Sequence, residues 1–283
     1  MQAIADTMKE MFPQFSAKPY EPPTDDEIRV RLQKSCDAMN AERGNLTGIE
    51  CPECLNRGYI AFVRETDVLG ENYITVATRQ CKCMVQRIAL ARIRRSGLGE
   101  MLDKCTFDSF KTESMWQATV KQKAQDFVSK LGRFFFIGGQ SGCGKTHICT
   151  AMVGELIKRG LDAYYMLWQD TAVRLKSLVM DSDAYAREMD KLKNVDVLYI
   201  DDFMKPVSGG KPTEADVRIA YEIINARYNR ECITIISSER HATEIIEIDE
   251  AIGGRILEYA KGYTVNIARK QGRNYRLNGM DEI

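Results

Sequence analysis

Histidine is scarce in this chain: only His147 and His241 occur among 283 residues, far apart and at no ligand spacing. That argues against a histidine-built metal centre and makes the ordinary roles of packed, hydrogen-bonded side chains the expectation for both rings. Net charge is missing as well. Forty Lys and Arg balance forty Asp and Glu, so no field of the whole molecule gathers nucleic acid or a membrane surface, and any polyanion site has to be local. No apolar run approaches the ~20 residues that span a bilayer, and the N-terminus has no basic-then-apolar leader; the expectation is a cytoplasmic chain with no membrane partner. Internal repeats and low-complexity tracts are absent too. The nine cysteines are an odd number, and Cys143 and Cys149 lie in or beside a Gly-rich loop where a disulfide makes little sense. Reduced or metal-bound thiols in a reducing compartment are expected instead.

What is present begins with Arg133 to Thr146, an apolar run, Phe134-Phe135-Phe136-Ile137, emptying into Gly138-Gly139-Gln140-Ser141-Gly142-Cys143-Gly144-Lys145-Thr146. This reads as strand, phosphate loop and helix, in the pattern G-x-x-x-x-G-K-[ST]. Glycines let the backbone turn several N–H groups onto phosphate oxygens, and the following helix, expected from Ile148 to Arg159 with Gly160 as its stop, points its positive end at the same anion. The expected nucleotide-binding set is Gly139, Gln140, Ser141, Gly142, Cys143, Gly144, Lys145, Thr146 and, at its edge, His147. Lys145 neutralises phosphate charge, and the Thr146 hydroxyl holds Mg²⁺.

About 55 residues further on, Val195 to Ile200 ends in Asp201-Asp202, a buried strand delivering two carboxylates. Asp201 is placed to bind Mg²⁺ through its water shell and Asp202 to orient the attacking water. Its side chain is one methylene shorter than the Glu found at many such positions, which predicts slow ATP hydrolysis. Another buried strand, Cys232 to Ile236, closes on Ser237-Ser238-Glu239. A polar tip beside the carboxylate strand either senses the γ-phosphate or caps the next turn. Between these lie an expected strand Ala163 to Trp168 and helices over Thr171–Met180 and Ala184–Leu192; Thr213 with Asp216 marks the start of a long helix.

Upstream, residues 1–24 hold four of the seven prolines and read as a loose leader. Thr24 and Glu27 open a helix running to about Arg43. Cys51-Pro52-Glu53-Cys54 precedes two alternating strands, Gly58–Arg64 and Tyr73–Gln80, joined near Gly70 and followed by Cys81-Lys82-Cys83. A hairpin returns to where it began, so Cys51, Cys54, Cys81 and Cys83 meet as the four thiolates of a structural Zn²⁺ site. From Asn72 to Gly99 there is no acidic residue while Arg79, Lys82, Arg87, Arg92, Arg94 and Arg95 accumulate; a solvated helix face and a contact for single-stranded nucleic acid both account for this. The helix there ends at Ser96-Gly97, a domain border.

With the cysteine ribbon, Thr106-Phe107-Asp108-Ser109-Phe110, the phosphate loop, Asp201-Asp202, the paired serines and Asn274-Tyr275-Arg276 in place, residues 50–278 resemble the DnaC/DnaI family of replicative helicase loaders, and most closely its phage-type members. The resemblance implies an α/β fold: an AAA+ P-loop domain with a central parallel sheet over residues 98–283, preceded by a small zinc-ribbon and helical N-terminal domain over 1–97. It implies ATP, Mg²⁺ and Zn²⁺ as cofactors, an N-terminal region that grips a hexameric DnaB-type helicase, single-stranded DNA as the track, and a homo-oligomer when ATP is bound. It assigns phosphate sensing to Ser237 or Ser238 and to Arg276, and makes Arg255 the finger reaching a neighbouring subunit's nucleotide. Tyr259 stands where some loaders carry a second Arg. Two other readings remain: the ATPase helper of a transposase, whose AAA+ domain is closely similar but usually lacks a cysteine ribbon, and a zinc-ribbon nucleic-acid-binding module whose nucleotide site is only structural.

Overall fold

Four apolar residues in a row give a strand no face to turn to water, and β3 (Phe134–Gly139) is buried at every position. The computed structural model describes residues 22–68, 71–95, 98–206, 210–269 and 274. They belong to two compact units that divide between Cys81 and Lys82. Among the described residues no helix is long and apolar enough to cross a membrane.

In the first unit, α1 (Asp25–Ala41) starts on a reciprocal cap: Thr24 Oγ1 accepts from the Glu27 N–H and Glu27 Oε2 accepts from the Thr24 N–H. Two orphan donors of the first turn are thereby satisfied. Strands β1 (Tyr59–Val68) and β2 (Glu71–Gln80) pair antiparallel from Tyr59↔Gln80 to Val68↔Glu71; the expected joint at Gly70 lies outside the described residues. The Asn40 side chain on α1 acts as a stand-in for backbone, donating to Ala61 O and accepting from Ala61 N, both at 2.9 Å.

The second unit is built on a five-stranded parallel sheet. Besides β3 its strands are β4 (Ala163–Leu167), β5 (Val197–Asp201), β6 (Ile233–Ser238) and β7 (Thr264–Ile267), in the order β4-β5-β6-β3-β7. Strand alternation divides the apolar residues between two cores. Phe135, Ile137, Tyr199 and Ile235 face α2 (Cys83–Arg95), α3 (Gly99–Lys104), α4 (Met115–Lys130) and α5 (Lys145–Lys158). Phe134, Phe136, Ile200 and Ile236 face α6 (Trp168–Ser177), α7 (Ser182–Asn194), α8 (Glu214–Asn229), α9 (Ala242–Ile248) and α10 (Glu250–Tyr259). Strand β4 stops at Leu167, one residue short of expectation, because Trp168 opens α6 and buries its indole edge-on against Phe203.

Arg227 lies on the apolar stripe of α8 with Ile223 and Ile224, and is fully buried. Its guanidinium donates to Thr234 Oγ1 (2.8 Å), Leu192 O and Val195 O (2.9 Å each), Asp196 O (3.4 Å) and Ile233 O (2.6 Å). Burial lowers its pKa to about 10, so it stays charged at neutral pH. Among the described residues no carboxylate is hydrogen-bonded to it; carbonyl dipoles absorb the charge.

Helix α8 begins on the expected Thr213–Asp216 cap, with Thr213 N donating to Asp216 Oδ2 at 2.9 Å and Asp216 N to Thr213 Oγ1 at 3.3 Å; Lys176 Nζ sits 2.7 Å from Asp216 Oδ1. Burial alone pushes the Asp216 carboxyl up, but hydrogen bonds from Lys176 and Thr213 outweigh it and hold it below the usual Asp value. A carboxyl depressed on folding adds stability above its unfolded pKa of about 4 and loses it as pH falls through the lower folded value. Asp216→Asn is therefore expected to cost about 1 kcal/mol at pH 7 and to flatten the acid limb of the urea midpoint below about pH 4. An unchanged acid limb removes Asp216 from this role.

Candidate nucleotide site

Parallel pairing sets the site before any side chain does. Register pairs Ile137 with Ser237, Ile200 with Ile236 and Leu167 with Asp201, so the carboxyl ends of β3, β6, β5 and β4 finish together. Beyond β3 the chain turns through Gly142 (φ 75°) and Gly144 (φ 91°), the latter the N-cap of α5. Both backbones occupy the left-handed region that side-chain-bearing residues avoid. At Gly142 space is also closed, since a Cβ would lie 1.8 Å from Asn274 Oδ1. Lys145 is buried, and its ammonium donates to Gly139 O (2.9 Å) and Gln140 O (3.0 Å), so the side chain folds back over the loop. Cys143 is buried and Cys149 sits fully buried one turn into α5, where burial pushes its thiol well up and keeps it unreactive.

Asp201 is where the other strands converge. Its carboxylate accepts from Thr146 Oγ1 at 3.3 and 3.4 Å, from the Tyr165 hydroxyl at 3.2 Å, from the Asp202 N–H at 3.1 Å and from Ser237 Oγ. Burial first, then the Asp201 charge, pushes the Tyr165 phenol far up, so it stays a hydroxyl donor. Thr146 and Asp201, two hard oxygen donors at the phosphate loop, form the donor set that suits Mg²⁺ shared with a nucleotide's phosphates. Asp202 follows at φ 53°, its carboxylate 3.0 Å from Lys205 Nζ. Ser237 and Ser238 are both fully buried in β6; Ser237 faces Asp201, whereas Ser238 Oγ donates to Phe203 O at 2.8 Å and accepts from Arg240 N at 3.1 Å.

His147 turns away from the loop. Its Nε2 lies 3.2 Å from Ser109 Oγ and 3.1 Å from Thr106 O, and its ring meets Phe110 edge-on at 5.4 Å. Thr106 to Phe110 thus forms a turn, closed by reciprocal Thr106–Ser109 hydrogen bonds, that buttresses the first turn of α5. Arg255 lies apart from Asp201, on α10. Its guanidinium rests over the Tyr221 and Tyr228 rings at 5.3 and 5.7 Å, and Tyr228 stacks in turn on Tyr259 at 4.1 Å. Tyr259, where a second Arg was looked for, thus supports the stack that carries Arg255. Arg276 lies outside the described residues.

The Sγ atoms of Cys51, Cys54, Cys81 and Cys83 all lie within 4.8 Å of one another. Hairpin closure accounts for the return, because Cys81 N donates to Gly58 O at 2.9 Å. The Cys51–Cys81 separation of 3.7 Å is close to the edge of about 3.8 Å of a tetrahedron with Zn–S bonds of 2.3 Å. The Gly58 N–H donates to Cys54 Sγ at 3.3 Å, the kind of bond that steadies a ligating thiolate. The donor set fits a zinc ion. Of the basic residues between 79 and 95, Arg79 pairs with Glu53 and Arg92 with Asp162.

Sequence reasoning missed Tyr165, the Thr106–His147 buttress and Lys205: the first two depend on partners distant in the chain, and Lys205 turns back on Asp202, three residues before it, while also reaching the distant Glu239. For Lys145 the expectation is direct. Lys145→Ala should weaken ATP binding by about 100-fold or more, the loss of two charge-assisted hydrogen bonds, in isothermal titration with magnesium; unchanged affinity would take the loop out of nucleotide binding.

The chain is similar to several known proteins. Phage-like element PBSX protein XkdC of Bacillus subtilis is 28% identical over 89% of this chain and 94% of its own length. The replicative helicase loader DnaC of Escherichia coli K12 is 28% identical over 38% of this chain and 46% of its own. The ATP-binding protein of an IS21-like insertion sequence from Bacteroides fragilis is 23% identical over 75% and 82%. Among solved structures, AMPPCP-bound DnaA from Aquifex aeolicus superposes with a TM-score of 0.49 at 22% identity over 58% of this chain, which spans about half (49%) of that one. Residues 68–261 match the model for IstB-like ATP binding protein, a span that takes in the phosphate loop, Asp201, Ser237 and Arg255: the chain belongs to that family, as an AAA+ domain of the IstB/DnaC type.

Proposed function

We propose that this chain is a slow ATPase that binds a hexameric DnaB-type replicative helicase and helps place it on single-stranded DNA. The observation that carries the reading is the convergence of Thr146 and Asp201 beside Lys145, 3.3 Å between hydroxyl and carboxylate. That is a site for a metal-bound triphosphate, in a chain similar to a protein named as a helicase loader. Bound Mg²⁺ supplies charge neutralisation at the phosphates. Lys145 grips phosphate oxygens, Asp202 orients the attacking water, Ser237 links the phosphate site to β6, and Arg276 is assigned to the same nucleotide. Arg255 leaves its tyrosines to serve a neighbouring subunit, which makes the ATP-bound form a homo-oligomer. ATP favours the helicase-bound state only by binding it more tightly than the free one. In the N-terminal part, taken as residues 1–97, the four cysteines hold Zn²⁺ and the region docks the helicase, with the basic stretch 79–95 beside single-stranded DNA. The ATPase domain is residues 98–283.

A second reading is supported by the relative from the IS21-like insertion sequence: the same ATPase serving a transposase. Size-exclusion chromatography separates the two. Co-elution with the cognate helicase that depends on ATP supports the loader, while capture of a transposase without the helicase overturns it. Arg255→Ala should keep ATP affinity and lose hydrolysis in the assembled state; normal turnover would refute the finger. Elemental analysis should find one zinc per chain, falling to near none in Cys51→Ser/Cys54→Ser. Full occupancy in that variant would move the metal elsewhere.

A further inference from the structure

The second carboxylate of the site is not free to act on water alone. Asp202 Oδ2 lies 3.0 Å from Lys205 Nζ, and the same ammonium lies 2.9 Å from Glu239 Oε1. Lys205 is thus shared between the tip of β5 and the tip of β6, one cation between two carboxylates, with each side chain about one-third exposed (33%, 28% and 33% for Lys205, Asp202 and Glu239).

The backbone holds this arrangement in place. Asp202 and Met204 both take positive φ, 53° and 60°, conformations that cost side-chain-bearing residues energy and persist only where the surroundings impose them. Here they are imposed from several sides. The Asp202 N–H donates to Asp201 Oδ1 at 3.1 Å and lies 3.3 Å from Ser237 Oγ; Phe203 N donates to Ser237 O at 2.8 Å; Lys205 N donates to Asp202 O at 3.0 Å. Phe203 and Met204 are fully buried. The tight turn points Lys205 back at the carboxylate three residues before it. Lys205 lines a cavity of about 440 Å³ together with its partner Glu239 and with Arg240, Gln169 and Arg269, so its ammonium borders open space shared with Glu239.

We propose that Lys205 is a positioning residue that restrains ATP hydrolysis, occupying Asp202 when it pairs there and releasing it when it pairs with Glu239 alone. A carboxylate orients water through its oxygen lone pairs, and an ammonium bonded to one oxygen competes with the water for them. Glu239 is the other partner that lets go of Asp202 possible without stranding the cation. This inference rests on the ATPase reading above and names the group that sets its rate.

The two partners of Lys205 predict opposite changes, which a merely structural role does not. In steady-state hydrolysis by the full chain, Lys205→Met should raise kcat about threefold or more with ATP KM within about twofold, a fraction of the 10²–10⁴ that a positioned base contributes. Glu239→Gln leaves Asp202 as the sole carboxylate for Lys205 and should lower kcat by about threefold. Lys205→Arg, which keeps the charge, should return turnover toward that of the unaltered chain. ATP affinity measured in parallel shows that each variant is folded. A kcat in Lys205→Met equal to or below the unaltered chain, with ATP still bound, overturns the restraint, as does the same change in both variants. Turnover in Lys205→Met where the unaltered chain has none supports it. ATP bound by both with turnover in neither overturns it, whereas no ATP bound by either chain overturns the nucleotide reading itself.

Discussion

The Asp201 carboxylate is buried at the end of β5 and accepts from four segments: Thr146 at the start of α5, Tyr165 on β4, Ser237 on β6 and the Asp202 backbone. A buried carboxylate without such donors is costly, so these hydrogen bonds are what allow a negative charge to sit at the meeting point of the strands. They also tie the phosphate loop to three different strands at once. Position and rigidity of this carboxylate follow from a single set of contacts.

Around that point, support comes from elements with no chemistry of their own. Thr106 to Phe110 braces the first turn of α5 through His147, and Asn274 lies against Gly142. The turn after Asp201 carries two residues in left-handed conformations with buried Phe203 and Met204 as anchors. Strain held this way is a common companion of functional geometry because the surrounding core, and not the local sequence, stabilises it.

Patterns that close within a few residues were legible in the chain. The phosphate loop, the reciprocal caps at Thr24–Glu27 and Thr213–Asp216, and the hairpin that returns Cys81 to Cys54 all rest on short-range spacing, and β3 and β5 are apolar runs. What needed the fold was long-range. The spacing from Ile223 and Ile224 puts Arg227 on the apolar stripe of its helix, but the acceptors that let a guanidinium stay there come from α7, the segment before β5 and β6. Tyr165 reads as one more aromatic of a buried strand until pairing with β5 sets it beside Asp201. His147, grouped with the nucleotide-binding residues by adjacency, points to the Thr106 turn because the helix start directs its ring there.

The order β4-β5-β6-β3-β7 puts β6 between the strand that ends in the phosphate loop and the strand that ends in Asp201. The strand that ends in the phosphate loop and the strand that ends in Asp201 are therefore not paired; they come together beyond their carboxyl ends, where Thr146 Oγ1 lies 3.3 Å from Asp201 Oδ2. Arg227 fastens β6 at its entry, through Thr234 and Ile233, to the chain leading into β5. Three residue steps, roughly 10 Å at ~3.3 Å each, lead from Thr234 to Ser237. Arg227 at one end of β6 and the Ser237–Asp201 bond at the other therefore fasten the same strand to the β5 chain twice, so a cation remote from the carboxylate shares its alignment.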